Sequence, residues 1–378
     1  MESFKSTSIV ESLSRLYNVL FPTYPTASAS ATPLNLGILG AAAIAPTAVI
    51  NPAKRIPDKF RVYSVAARDP ARAKEYAKKH GIIRTHESYE ELINDPDIHA
   101  VYIPLPNGLH YEWAMKCIDA GKPVLVEKPV ASNADQAAKL FDYARSKNAL
   151  VTEAFHWYFY PAAAKIKEFI NDTENFGEII GFDGSLTMRL KGIESDIRAS
   201  YSLAGGSLMD MGCYPISWMR YFFDEEPISA KPLRFIPFEK DSKIEFFTEI
   251  EYAFASNPKK KAVIKCGLQT PWKEWCKIGL LPFAVIRGTK KQLTYTMPMF
   301  GNYFHNIAVK DLSTGKTQNF QMYPPGREVW GTYEFQLESF HTAITQGKVE
   351  KMYPTEDSVN NMRAVDMAYA ALDLPRRE

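Results

Sequence analysis

The sequence predicts an α/β chain, a doubly wound parallel sheet followed by an α+β domain with an open, mostly antiparallel sheet. Three observations predict it. From residue 34 to about 154 short apolar runs alternate with helical stretches, as successive β-α-β units require. Beyond residue 155 the alternation gives way to a succession of strand-like segments with few helices between them, which suits antiparallel pairing. The chain has 378 residues, more than one ordinary core fills, so two domains are expected.

Residues 1–33 read as an arm outside the domain cores. Within it 9–21 is an amphipathic helix, because Ile9, Leu13, Leu16, Leu20 and Phe21 recur at helical spacing. That apolar stripe is expected to dock on its own chain or on a neighbour. A transit peptide is disfavoured, since Glu2 and Glu11 interrupt the acid-poor character of such peptides.

Residues 34–155 form the expected dinucleotide-binding domain, with strands at 35–39, 61–67, 100–103, 124–127 and 150–153, a short one near Ile82, and helices after Ile44, Pro70, Ser88, Asn107 and Ala134. This is the element order of a Rossmann domain, which binds ligand outside the carboxyl ends of its strands. Residues 156–378 form the expected substrate-binding and oligomerisation domain. A helix over 163–170 leads into strands near 178–190, 243–254, 261–268, 283–287, 292–296 and 306–309. Helical periodicity returns over 332–346 and 357–372, and these last helices are candidates to pack back on the first domain.

Composition excludes several classes. With 45 Lys and Arg against 43 Asp and Glu the net charge is +2, which gives no electrostatic footprint for nucleic acid. No stretch approaches the ~18 apolar residues of a membrane helix. Cys117, Cys213, Cys266 and Cys276 are widely spaced, so neither a zinc cluster nor a disulfide framework is expected, and reduced thiols in a cytoplasmic protein are the plain reading.

The first strand runs into Gly40-Ala41-Ala42-Ala43-Ile44-Ala45, close to the dinucleotide fingerprint Gly-x-Gly-x-x-Gly/Ala but with Ala42 at the middle glycine. Gly40 permits the tight turn, Ala45 the close helix-to-strand packing, and the helix N-terminus presents N–H groups to a pyrophosphate. An ordinary small-residue turn would also produce this pattern. At the end of the second strand Arg68, with Arg72 one turn further on, suits a ribose 2′-phosphate, so NADP is favoured; Asp69 beside it keeps NAD open. Leu105, Asn107 and His110 follow the fourth strand. Glu127-Lys128-Pro129 follows the fifth.

Taken with Gly37-Ile38-Leu39-Gly40, Ala66-Ala67-Arg68-Asp69, Asn107-Gly108-Leu109-His110 and the run from Ala204 to Tyr214, these segments resemble the glucose-fructose oxidoreductase, inositol dehydrogenase and rhizopine-catabolism family. The resemblance covers residues from about 34 to 375. It is strongest to the fungal branch of NADP-dependent D-xylose 1-dehydrogenases and dimeric dihydrodiol dehydrogenases. It implies that Gly40, Ala42, Ile44, Ala45, Arg68, Arg72, Leu105, Asn107, His110, Glu127 and Lys128 bind the cofactor, and that Lys128, Asp210 and Tyr214 are catalytic.

Chemistry agrees with that carry-over. A lysine ammonium beside a phenol favours the phenolate, so Tyr214 could accept a hydroxyl proton as hydride leaves the carbon. If a helix begins there, the four-residue spacing puts Asp210 and Tyr214 on one face; a helix cap and a packing tyrosine would share the same pattern. The match departs at Tyr158 and Tyr160, where related enzymes commonly place Arg and His or Asn. His156, Tyr158, Tyr160, Arg198, Asp210 and Tyr214 are therefore the expected substrate contacts, with the sugar or diol unspecified. His156 equally suits a core histidine, and Arg198 with Asp196 a surface ion pair.

The expected activity is hydride transfer between a sugar or diol and NADP, in a homodimer or higher homo-oligomer with no metal. Two alternatives share the fold: a dinucleotide-binding sensor that does not turn over, and a glycosidase that oxidises and re-reduces its substrate. The dimer is expected through the second sheet, on the premise that Ile264, Gly267 and Leu268 point outward.

Overall fold

The structure, a computed structural model, describes residues 9–273, 276, 281–301 and 304–378, with side chains from residue 14 onward. Glu2 and the side chains of Ile9, Glu11 and Leu13, read above from the sequence, lie outside the described residues. The chain forms two compact units. One comprises Phe21–Phe159 with Trp330–Ser358, the other Met1–Leu20, Tyr160–Val329 and Val359–Glu378.

The first unit is built on six parallel strands: β1 (Leu34–Leu39), β2 (Phe60–Ala66), β3 (Arg84–His86), β4 (Ala100–Ile103), β5 (Val124–Val126) and β6 (Val151–Glu153). Their order is β3-β2-β1-β4-β5-β6, so the winding reverses between β1 and β4, where such sheets bind ligand. β1, β4, β5 and β6 are short and almost wholly buried on both faces, which is why they read as apolar runs, whereas β2 and β3 toward one edge expose Arg61 and Arg84. The helix Thr332–Gln346 belongs to this unit. Its Leu337, Phe340 and Ala343 join Leu36, Ile38, Ala48, Val49 and Phe60 in one core, and Arg55 pairs with Glu334 at 3.0 Å.

The second unit holds eight strands: β7 (Ile179–Thr187), β8 (Pro227–Phe238), β9 (Asp241–Phe254), β10 (Lys261–Gly267), β11 (Phe283–Gly288), β12 (Lys291–Thr296), β13 (Asn306–Asp311) and β14 (Thr317–Phe320). Their order is β14-β13-β12-β11-β7-β10-β9-β8, antiparallel throughout except for β7 with β10. The helix Cys213–Phe223 lies against the inner face, with Phe223 edge-on to Phe182 and to Phe254.

Two strands escaped the sequence reading. β8 contains Pro227, Pro232 and Pro237, residues that argue against a strand; it tolerates them because it is an edge strand, and the register slips beside each of them. β14, at the opposite edge, has only four residues.

The outward-facing premise for the second sheet is corrected. Ile264 and Leu268 are buried and Gly267 is buried with them. Because side chains alternate strictly, Ala262, Ile264 and Cys266 face the core, and Lys261, Val263 and Lys265 take the other face. There Lys265 meets Glu249 and Lys261 meets Glu251, each at 3.1 Å, and Arg287 pairs with Asp183.

The arm helix spans Ile9–Leu20. Among its described side chains Arg15 and Val19 are buried, whereas Leu16, Leu20 and the following Phe21 are exposed, so the docked residues there are not those of the expected stripe. Arg15 lies over the Tyr323 ring at 3.8 Å, a stacking contact that apolar periodicity does not register. Among the described residues no helix is long and apolar enough to cross a membrane, and no cluster of His, Cys, Asp or Glu is placed to hold a metal.

Candidate active site

The candidate residues divide between the two units. In the first, Gly40 ends β1 with φ +105°, a conformation that glycine adopts without strain, and a Cβ there would lie 3.1 Å from Leu105 Cδ2. The turn thus sits where β1 and β4 part. The helical path starts at Ala45, beside exposed Ala43 and Ile44, and continues through Pro46–Ile50. The turn's carbonyls are tied down: Arg72 donates to Ala41 at 3.1 Å, and the Tyr76 hydroxyl donates to Ala42 at 2.8 Å.

Exposed Arg68 and Arg72 converge on Tyr89. Burial raises the Tyr89 phenol's pKa, while the Arg68 N–H and both guanidinium charges oppose that rise. Asp69 instead caps the helix Pro70–His80, accepting the Ala71 N–H at 2.9 Å. A cation pair with a phenol beside a glycine turn fits a phosphorylated ribose, and the carboxylate that would suit a bare ribose is engaged in capping.

Around Lys128 the backbone is held from several sides. The Lys128–Pro129 peptide is cis. The Glu127 carboxylate accepts the Tyr102 hydroxyl at 2.6 Å and the Lys128 N–H at 3.3 Å. Glu153, opposite Val126 across β5 and β6, accepts the Val130 N–H at 3.0 Å, and burial pushes its carboxyl up to about 8 against that bond and the Lys128 charge. His110 is buried, with Nδ1 2.7 Å from the Pro129 carbonyl oxygen and Nε2 2.7 Å from that of Leu105. Burial and Lys128 hold its imidazole down to about 4 against the pull of those two acceptors. Both ring nitrogens thus face backbone carbonyls that follow β4 and β5, to one of which the neutral imidazole donates. Within Val124–Val130 every residue is buried except Lys128.

His156 takes the core role. It is fully buried, its Nδ1 lies 2.6 Å from Thr332 Oγ1, and its ring stacks on Tyr333 at 4.0 Å. Burial, aided by Lys128, lowers its pKa to about 3. The neutral ring therefore stabilises the fold fully above pH ~6.5, the unfolded value, and that contribution is lost as pH falls toward 3. At about 1.4 kcal/mol per pH unit, acidifying from pH ~6.5 to ~4.5 should remove about 2–3 kcal/mol. Urea midpoints across this window should fall less steeply in His156→Gln than in the unsubstituted protein; parallel slopes would show that His156 does not titrate this way.

Tyr158 is half-buried, edge-on to Tyr353, in the first unit. Tyr160 is in the second, 1% exposed, and its hydroxyl donates to the Met322 carbonyl at 3.2 Å. The hydroxyl expected to meet substrate is thus engaged inside its own unit.

In the second unit Arg198 and Asp210 pair, and Tyr214 follows Asp210 by four residues. Arg198 Nη1 lies 3.0 Å from Asp196 and Nε 2.5 Å from Asp210, and the Asp210 charge, foremost, raises the guanidinium pKa. Asp210 sits inside a π-helical turn, Leu208–Gly212, which runs directly into the helix Cys213–Phe223. It is therefore not a helix cap. Tyr214, in the first turn of that helix, is 3% exposed, with the Trp218 ring 6.3 Å away.

Sequence reasoning missed Tyr76, Tyr89, Glu153, Glu245 and Arg377. Glu245 left a signal, a carboxylate inside the apolar run Ile244-Glu245-Phe246-Phe247, since buried charges demand partners.

Comparisons with known proteins place this geometry in context. A family model described as an oxidoreductase family with an NAD-binding Rossmann fold matches residues 34–155, and one for the GFO/IDH/MocA C-terminal domain matches residues 163–292. D-xylose 1-dehydrogenase (NADP(+)) 2 of Haloferax volcanii is 40% identical over 186 residues, 49% of this chain and 56% of that protein. Trans-1,2-dihydrobenzene-1,2-diol dehydrogenase of Xenopus tropicalis is 32% identical over 166 residues, 44% and 49% of the two chains. The chain thus spans about half the length of the curated relatives it matches. A 3-ketoreductase from Actinomadura kijaniata, solved with NADP and TDP-benzene, superposes with a TM-score of 0.76 at 25% identity, covering 90% of this chain and 98% of that one.

Proposed function

We propose, because this chain belongs to the GFO/IDH/MocA oxidoreductase family, that it transfers hydride between a hydroxyl-bearing carbon of a sugar or vicinal diol and NADP. The observation that carries the reading is Lys128, the one partly exposed residue in a buried run whose backbone is held by His110, Glu127 and Glu153. A core with only a binding duty has no need of a lysine fixed in that way.

The residues present fit NADP. Gly40 and the helix that follows offer the pyrophosphate a close backbone approach, and Arg68, Arg72 and Tyr89 suit a 2′-phosphate. NADP, when bound, supplies the acceptor for hydride leaving the carbon. The chain's own residues manage the proton: Lys128 orients the substrate oxygen, and Tyr214 takes the hydroxyl proton as the carbonyl forms. Arg198 holds Asp210 in place four residues before Tyr214. Carbonyl reduction runs through the same groups in reverse. D-xylose and aromatic trans-diols are the first substrates to try, given the relatives' names.

Cofactor choice is tested by Arg68→Ala. Loss of a charge-assisted contact, about 1.5–3 kcal/mol, should raise the KM for NADP about tenfold or more and leave that for NAD nearly unchanged. Equal effects on both would remove Arg68 from 2′-phosphate recognition.

Self-association is part of the same reading, through the outer face of the eight-stranded sheet, where Val263, Phe283 and Val285 are half-exposed beside the cross-strand ion pairs. Light scattering at micromolar concentration should give at least a dimer mass, and a monomer mass would remove this part of the reading.

A further inference from the structure

The turn that carries Asp210 is gripped from behind by a buried ion pair. Glu245 in β9 and Arg377, beyond the helix Thr355–Ala371, have side chains with no exposure, and Arg377 Nη2 lies 2.6 Å from Glu245 Oε2. Each charge also reaches the backbone of the turn. Arg377 Nε donates to the Gly205 carbonyl at 2.8 Å, and Glu245 Oε1 accepts the Leu208 N–H at 2.8 Å and the Tyr369 hydroxyl at 3.0 Å.

Gly206 lies between those two anchor points with φ +124°, and a Cβ on it would come within 2.4 Å of Glu245 Oε1. The carboxylate occupies the space a side chain would need. The same glycine's N–H donates to the Arg198 carbonyl at 2.9 Å, and Arg198 in turn holds Asp210. The Tyr369 and Tyr201 rings face the guanidinium at 4.3 and 5.0 Å. A buried pair of this kind adds little net stability, since desolvation offsets most of its attraction. What it supplies is a fixed geometry for the backbone it bonds.

We propose that Glu245 and Arg377 form a latch that sets the conformation of Gly205–Asp210, and so act as positioning residues for the Arg198–Asp210 pair and the helix bearing Tyr214. The catalytic consequence rests on the oxidoreductase reading above; the conformational one does not.

Arg377→Met alone would leave Glu245 buried without its counter-charge, a change that can unfold the unit. The decisive variant is therefore Glu245→Met/Arg377→Met, which replaces both charges by apolar chains of similar size and so leaves no lone buried charge, lowering the thermal midpoint only through the bonds lost at Gly205, Leu208 and Tyr369. Amide exchange across Gly206–Asp210 should nevertheless speed up about tenfold or more, and kcat should fall about tenfold or more with NADP affinity unchanged. Arg377→Lys, which keeps the charge but loses the planar fork, should show the same pattern more mildly and serves if the double variant does not fold. Unsubstituted rates of exchange in that segment would overturn the latch, and faster exchange with unchanged kcat would overturn its positioning role. Because exchange is read without substrate, an unsubstituted protein that shows no turnover would sink the oxidoreductase reading while the exchange result still decides the latch.

Discussion

Tyr214→Phe should fold, bind NADP as the unsubstituted protein does, and lose turnover by about 10²- to 10⁴-fold, the usual worth of general acid–base catalysis. The ring is 3% exposed and lies near Trp218 in the first turn of the helix Cys213–Phe223, so Phe keeps the packing and removes only the hydroxyl. Loss of one hydrogen bond costs about 0.5–1.5 kcal/mol of stability, too little to account for a catalytic loss of that size. Gly40, Arg68 and Arg72, proposed above to bind the cofactor, belong to the other unit, which is why dinucleotide affinity should survive. Steady-state kcat, with NADP affinity from fluorescence titration, separates the two effects. Near-normal turnover would move the proton acceptor elsewhere, with Asp210 the next residue to replace.

Lys128→Met should be at least as damaging to turnover, about 10²- to 10⁴-fold, since it removes the donor and the charge proposed above to orient the substrate oxygen. The fold should tolerate it. Three bonds that shape this turn, between Glu127 and the Lys128 N–H, between Glu153 and the Val130 N–H and between His110 and the Pro129 carbonyl, do not use the lysine side chain and would remain. A readout independent of activity comes from the neighbours. The Lys128 charge helps to hold the imidazoles of His110 and His156 down and opposes the rise of the Glu153 carboxyl. Removing it should let all three titrate at higher pH, as NMR of the histidine rings would register. Histidine titrations unmoved by the substitution would mean that Lys128 does not face this cluster.

The parallel sheet was legible because strands buried on both faces leave uninterrupted apolar runs, and β1 to β6 appear within a residue or two of where those runs lie. β8 was not, because proline speaks against a strand unless the strand is known to be an edge, and edges are a property of the assembled sheet. The facing of β10 failed for a related reason. A period of two says that Ile264 and Lys265 lie on opposite faces but not which face the helix Cys213–Phe223 covers.

The candidate site divides in the same way. Gly40, Arg68 and Lys128 lie just past the ends of β1, β2 and β5, positions that alternating apolar runs make readable. His156 and Tyr160 meet partners distant in sequence, Thr332 and Met322, and His110 meets the carbonyls of Leu105 and Pro129, contacts that no local pattern registers. Glu245 and Arg377 lie 132 residues apart, beyond any local pattern. Arg15 shows the same limit at the arm, where an aromatic ring rather than an apolar stripe receives the helix.

The central claim is tested most directly by incubating the protein with NADP⁺ and a panel of pentoses, hexoses and aromatic trans-diols, following NADPH absorbance and substrate loss together. The account predicts NADPH formed in proportion to substrate consumed for at least one member, and none with Tyr214→Phe or Lys128→Met at comparable protein concentration. Substrate consumed without net NADPH would indicate internal oxidation and re-reduction, and tight NADP binding with no turnover in either direction would make the protein a dinucleotide sensor; either result would contradict the account.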